Sequence, residues 1–145
     1  MTRRIWLFVL LSMAAALLLF GRSALAAPIA QDPPVDADTL ANLAYPSSVA
    51  ADEDITLVDG SFADEDANIY MDLQSEYTLW GDLDGDGDTD AVVFTTASGG
   101  GSGTYWEMHA VLDEEGVATP VSFIFLGDRI EIVEGAIGDD GAIVM

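Results

Sequence analysis

Asp82-Leu-Asp84-Gly-Asp86-Gly-Asp88-Thr-Asp90 places five carboxylates within nine residues. At about 4 Å each like-charged pair costs on the order of 1 kcal/mol even at the dielectric constant of water. A hard cation among them removes that cost. Calcium takes about six to eight oxygens and tolerates irregular geometry, which suits side chains offered at alternate positions of a short loop better than magnesium or zinc would. Asp82, Asp84, Asp86 and Asp90 therefore read as side-chain ligands, with the Asp88 carbonyl as a further oxygen and Gly87 as the sharp turn. The competing reading is a solvated acidic turn that holds no metal.

What flanks the loop constrains the fold. Ala91-Val-Val-Phe-Thr-Thr96 follows it and Tyr77-Thr-Leu-Trp80 precedes it, both rich in β-branched and aromatic residues that favour strands. The spacing D-x-D-x-D-G-x-x-D matches the first nine positions of an EF-hand loop. However, the twelfth position is Val93, where a bidentate Glu is expected, so a helix-loop-helix is excluded. A calcium loop between strands resembles those of FG-GAP and integrin-type propeller repeats, through Gly81-Asp82, Gly85-Asp86-Gly87, Asp90 and Val93. A whole propeller is ruled out, because the motif occurs once and a blade alone takes roughly 40 residues.

Residues 1–26 have the pattern of an export signal. Arg3 and Arg4 are a basic start, Ile5 to Phe20 is apolar but for Ser12, and Ala24-Leu-Ala26 is a small-x-small cleavage site. The apolar run is short for a bilayer span of about 20 residues. We expect cleavage after Ala26 and a secreted or extracytoplasmic protein with no stable membrane span, the rival being an uncleaved N-terminal membrane anchor. Thr2-Arg3-Arg4 leaves the twin-arginine route open beside general secretion. With no cysteine, neither a lipid-modified N-terminus nor a disulfide framework is available.

Loss of that segment removes three of the four basic residues and none of the 26 acidic ones. Arg129 then stands alone, for a net charge of −25, in a chain without lysine. Such a field repels nucleic acid and anionic lipid, which excludes phosphate-backbone binding. Cations and basic partners remain, and most of the charge outside the loop serves solubility.

The remaining chain divides simply. Residues 27–38 mix Pro28, Pro33 and Pro34 with Asp and Ala, a linker composition, and 39–145 form one calcium-loop β-domain. Thr39 to Tyr45 suggests about two helical turns with Asp38 as N-cap, ended by Pro46. Strands are expected over Ile55–Val58 and Ser61–Ala63 around the turn dipeptide Asp59-Gly60, and over Ile69–Leu73, Tyr77–Trp80 and Ala91–Thr96. Thr104–Leu112 and Val117–Leu126 flank a second turn at Asp113-Glu-Glu-Gly116, and Arg129–Val133 and Ala142–Met145 close the series. The fold class is thus mainly β, an antiparallel meander or small sandwich with one short N-terminal helix.

Three further features carry less chemistry. Gly99-Gly-Gly-Ser-Gly103 lacks a P-loop's GK[ST] ending and is followed by a strand, so it reads as a flexible or bulged connection, with a ligand-lining loop as the alternative. His109 is the only histidine, which excludes histidine-rich zinc sites. Strand alternation puts Tyr105, Glu107, His109 and Val111 on a less buried face and Trp106, Met108, Ala110 and Leu112 on the core face. Arg129 follows Asp128 and is expected to pair with a carboxylate, one whose burial would make the pair structural.

Gly81-Asp-Leu-Asp-Gly-Asp-Gly87 with Asp90-Ala91, Gly100-Gly-Ser-Gly103, Ala110-Val-Leu112 and Leu126-Gly-Asp-Arg-Ile130 together resemble a family of small secreted bacterial proteins with those motifs in that order. The similarity extends to Leu40–Tyr45 and Leu57–Gly60, and implies a secreted single domain without an assigned chemistry. The expected role is a calcium-binding domain that is structural or binds a partner. Alternatives are a calcium-dependent glycan or cell-wall binding module, with Trp80, Tyr105 and Trp106 as stacking surface, and a glycoside hydrolase using Glu107 with Glu131 or Glu134. Mass spectrometry of the exported protein checks the leader: we expect an N-terminus at Ala27, and an intact Met1 would refute cleavage.

Overall fold

The computed structural model describes residues 35–145. The expected signal peptide and most of the expected linker lie outside them. Asp36, not Asp38, is the helix N-cap: its Oδ1 accepts the Thr39 N–H at 2.7 Å, which holds its carboxyl below the usual range. The helix α1 (Ala37–Leu40) is a single turn, shorter than expected, and Ala44–Ser47 forms strand β1 instead of a second turn. Tertiary contacts override local propensity here. Pro46 disfavours a helical Tyr45, whose ring is wholly buried with its hydroxyl donating to the Leu40 carbonyl at 2.8 Å. Pairing of β1 with β2 (Ala50–Thr56), Tyr45 opposite Ile55, then satisfies the backbone.

Asp59 and Gly60 turn the chain as expected, with φ of 51° and 83° as a type I′ turn requires, and Val58 and Ser61 exchange both backbone bonds across it. The pairing stops at that one bridge. Strand β2 stays with β1, while β3 (Ser61–Asp64) turns to β4 (Ile69–Leu73). The main antiparallel sheet runs β3-β4-β6-β7-β8, with β6 (Asp90–Gly99), β7 (Tyr105–Asp113) and β8 (Ala118–Asp128) as its long strands. A 3-10 turn (Ser75–Tyr77) leads into β5 (Leu79–Gly81), which pairs with the first half of β6 while β4 pairs with the second. Glu115 and Gly116, with φ of 54° and 92°, make the tight turn between β7 and β8. Arg129 takes a φ of 50° and ends β8, so the strand expected over Arg129–Val133 does not form; β9 (Ala136–Ile137) and β10 (Ile143–Val144) pair beyond it.

Strand β6 is covered on both faces. Ala91 to Thr95 are each 0 % exposed, and alternate residues enter two different apolar layers. Ala91, Val93 and Ala97 pack with Tyr45, Leu57 and Met71. Val92 and Phe94 pack with Met108 and, at the rim, Leu79, Ile132, Ile137 and Ile143. A near-continuous apolar run is the sequence expected of a strand buried on both sides.

The faces of β7 differ from the sequence expectation. Glu107, His109 and Val111 are fully buried, while on the expected core face Met108 is buried as expected but Trp106, Ala110 and Leu112 are only half-buried. The β1–β2 segment closes over the polar face and brings its own donors. Glu107 Oε1 accepts from Ser48 Oγ at 2.6 Å, Ser48 N at 2.8 Å and Ser47 Oγ at 3.2 Å. Across the sheet, His109 Nε2 lies 3.0 Å from Thr95 Oγ1, with the ring stacked on Phe123 and tilted against Tyr45. Burial pushes the imidazole down to about 4 from 6.5. The unfolded chain takes up a proton near 6.5 and the folded chain does not, so stability falls as pH drops through that window and is unaffected by this group above it. Denaturant titrations should show the parent losing about 3 kcal/mol more than His109→Gln between pH 7 and 4; parallel pH profiles would refute the assignment.

Candidate metal centre

The loop from Asp82 to Asp90 joins β5 to β6 and folds around its own carboxylates. Asp82 Oδ1 and Oδ2 accept the N–H groups of Gly85 and Gly87 at 2.6 and 3.1 Å. Asp84 Oδ1 accepts from Asp86 N at 3.2 Å, and Asp86 Oδ1 from Asp88 N at 2.8 Å. These are short-range turns of the kind that aspartate side chains promote. Gly85 and Gly87, with φ of 86° and 96°, supply the backbone reversals between them.

One ligand oxygen each of Asp82, Asp84 and Asp86 lies within 4.8 Å of the others, and all three residues are exposed. The Asp86 N–H holds the Asp84 carboxyl down, yet desolvation and the charges of Asp86, Asp90 and Asp82 together leave it above its usual range. That balance marks the crowding a cation would relieve. The carboxylates of Asp88 and Asp90 are not among the converging oxygens. Asp90 is 1 % exposed and serves as an internal strut: Oδ2 accepts from Leu83 N at 2.7 Å and Oδ1 from Asp113 N at 2.9 Å. It pins the start of the loop to the end of β7.

A second acidic turn, not foreseen from sequence, faces the first. Gly138-Asp-Asp-Gly141 between β9 and β10 lines an open cleft of about 400 Å³ together with Trp80, Asp82, Leu83 and Asp84. Contact between the two turns is close: Gly141 has φ of 74°, and a Cβ there would collide with the Leu83 carbonyl. The only sequence signal was the acidic turn between Ile137 and Ile143. Its placement depends on Ile137 packing against Gly81, where an added Cβ would lie 3.2 Å from the isoleucine side chain.

Other expected site features lie elsewhere. The glycine-rich stretch follows the far end of β6, a ten-residue strand and therefore about 30 Å from the acidic loop, so it does not line the same site. Tyr105 and Trp106 pair with Ala97 and Thr96 near that far end; Trp106 packs edge-on against Tyr77. Only Trp80, 45 % exposed, stands at the cleft. Glu107 is sealed inside the fold, which removes it as a glycosidase carboxylate. Arg129 pairs with Asp128, but both are solvent-accessible, so the pair does not neutralise a buried acid and contributes little. Asp128 is held below its usual range first by the Thr104 N–H, then by the guanidinium.

Comparison with known protein families, curated proteins and solved structures finds no match. The site is read from its own chemistry. Among the described residues no helix is long and apolar enough to cross a membrane.

Asp90→Ala leaves two N–H groups without their acceptor, and should cost about 2–4 kcal/mol in denaturant titrations with chelator present. Asp84→Ala, which removes an exposed and crowded charge, should cost less than about 0.5 kcal/mol under the same conditions. Equal losses would refute the strut role of Asp90 in the metal-free protein.

Proposed function

We propose that this protein is an exported β-domain stabilised by one calcium ion in the Asp82–Asp90 loop, with a structural or binding role rather than a catalytic one. The observation that carries this reading is the convergence of the Asp82, Asp84 and Asp86 carboxylates on a loop between paired strands. The donor set is all oxygen, which favours a hard cation, and His109, the single imidazole, is buried among Thr95, Tyr45 and Phe123. The D-x-D-x-D-G-x-x-D spacing adds the Asp88 carbonyl and Asp90 as further ligands in this proposal. The resemblance of the loop to strand-flanked calcium loops supports it.

An ion here acts as a clip. It would tie β5 to β6 and, through the Asp90 bonds, to the end of β7. Extracellular modules bind calcium at roughly 10⁻⁴ to 10⁻³ M, so millimolar calcium would add about 1 kcal/mol, a shift of several degrees in a domain of about this size.

A calcium-dependent glycan-binding role is favoured by one observation, the exposed Trp80 on the wall of the cleft. Binding of a glycan array with calcium, lost with chelator and with Trp80→Ala, would select that role over a purely structural one.

Calorimetry tests the calcium reading. The parent should unfold several degrees higher in millimolar calcium than in chelator. Asp86→Asn should shrink that difference while leaving the chelated protein as stable as the parent, or more so, since one repelling charge is gone. Equal unfolding temperatures of the parent under both conditions would reduce the loop to a solvated turn.

A further inference from the structure

The two edges of the main sheet are treated differently. Strand β3 is four residues long, ends in Asp64 and is followed by Glu65 and Asp66. Short length and charge are the usual guards against pairing with another chain. Strand β8, at the other edge, is eleven residues long, and residues 117–127 contain no charged side chain. Among the described residues its backbone makes bonds only to β7, so its outer row of N–H and C=O groups is unpaired.

Both apolar layers also run out at this strand. Phe123 and Phe125 lie opposite His109 and Glu107, on the face covered by β1 and β2, whereas Ile124 lies opposite Met108 on the other face. Phe125, Ile124 and Val121 are each about half exposed. An added strand would extend both layers at once.

We infer that β8 is the self-association edge of this protein, pairing antiparallel with β8 of a second copy across a two-fold axis. Charge selects the occupant. With 26 acidic residues against four basic ones, two copies repel over most of their surface, and this edge is a neutral strip along which they can meet. A basic partner would find no counter-charge on it. The stretch clear of Pro120 and of the register breaks at Val121 and Leu126 is Ser122–Phe125. A two-fold at Phe123 sets Phe123 against Phe123 of the partner subunit and Ser122 against Ile124 of the partner subunit. An aromatic–aromatic pair of this kind is favourable across antiparallel strands.

This inference does not depend on calcium, and its test excludes the ion. Sedimentation velocity of the exported protein in chelator, from 20 mM to 1 M NaCl, should show a monomer–dimer equilibrium whose dissociation constant falls about tenfold as salt screens the acidic surfaces. Ile124→Asp combined with Phe125→Asp should abolish the dimer at every salt concentration, while Phe125→Leu keeps it. Amide exchange in the parent gives a readout that needs no variant: the outward-facing amides of Ser122–Phe125 should exchange more slowly as protein concentration rises. A monomer at all salt concentrations, a dimer indifferent to the double substitution, open-ended oligomers, or β8 amides equally protected at every dilution would each overturn the proposal. The last result would mean that another segment of the same chain occupies the edge.

Discussion

Burial of β6 on both faces is the constraint from which the other elements take their places. A strand in which Ala91 to Thr95 are wholly inaccessible needs an apolar layer above and another below, and a chain of this length supplies them from its two ends. The N-terminal side gives Leu40, Tyr45, Ile55 and Leu57; the C-terminal side gives Ile132, Ile137 and Ile143. Removing either layer exposes half of the same strand. The acidic loop is therefore attached to the least yielding part of the molecule, and its last carboxylate, Asp90, is the first residue of that strand.

A protein this acidic cannot neutralise its carboxylates with its own cations. It turns them on its own backbone instead. Asp36 caps the helix, Asp64 holds the β3–β4 turn, Asp82 and Asp84 wind the loop, Asp90 joins loop to sheet and Asp113 closes the β7–β8 turn, each by accepting N–H groups. Hydrogen bonds from amides to ionised carboxylates are stronger than neutral ones, and they need no partner charge. Glu107 likewise has no lysine or arginine beside it: one oxygen of its buried carboxyl accepts from Ser47 and Ser48.

What the sequence made legible was local. The turns at Asp59-Gly60 and Glu115-Gly116 were readable because left-handed backbone demands such residues, and Ile69–Leu73 was readable because β-sheet residues are bounded there by turns. Asp82, Asp84 and Asp86 were readable from spacing alone. What depends on distant partners was not. Thr39 to Tyr45 has helical preferences that yield to the burial of Tyr45. Glu107 and His109 look like a solvent face until the residues that cover them are in place, Ser47 and Ser48 for Glu107, some 60 positions away in sequence, and Tyr45 for His109. Asp139 and Asp140 join the cleft only because Ile137 docks on Gly81.

Arg129, exposed at the bend where β8 ends, is the one cation among the described residues. This leaves trypsin-like enzymes a single cleavage point among the described residues. The cut would fall at a consequential place. Everything after it, including Ile132, Ile137, Ile143 and the Gly138–Gly141 wall of the acidic cleft, would be held to the sheet by packing alone. The scarcity of positive charge thus leaves trypsin-like enzymes little to cut and, once the chain is nicked, makes the domain prone to shed the layer that shelters one face of its central strand.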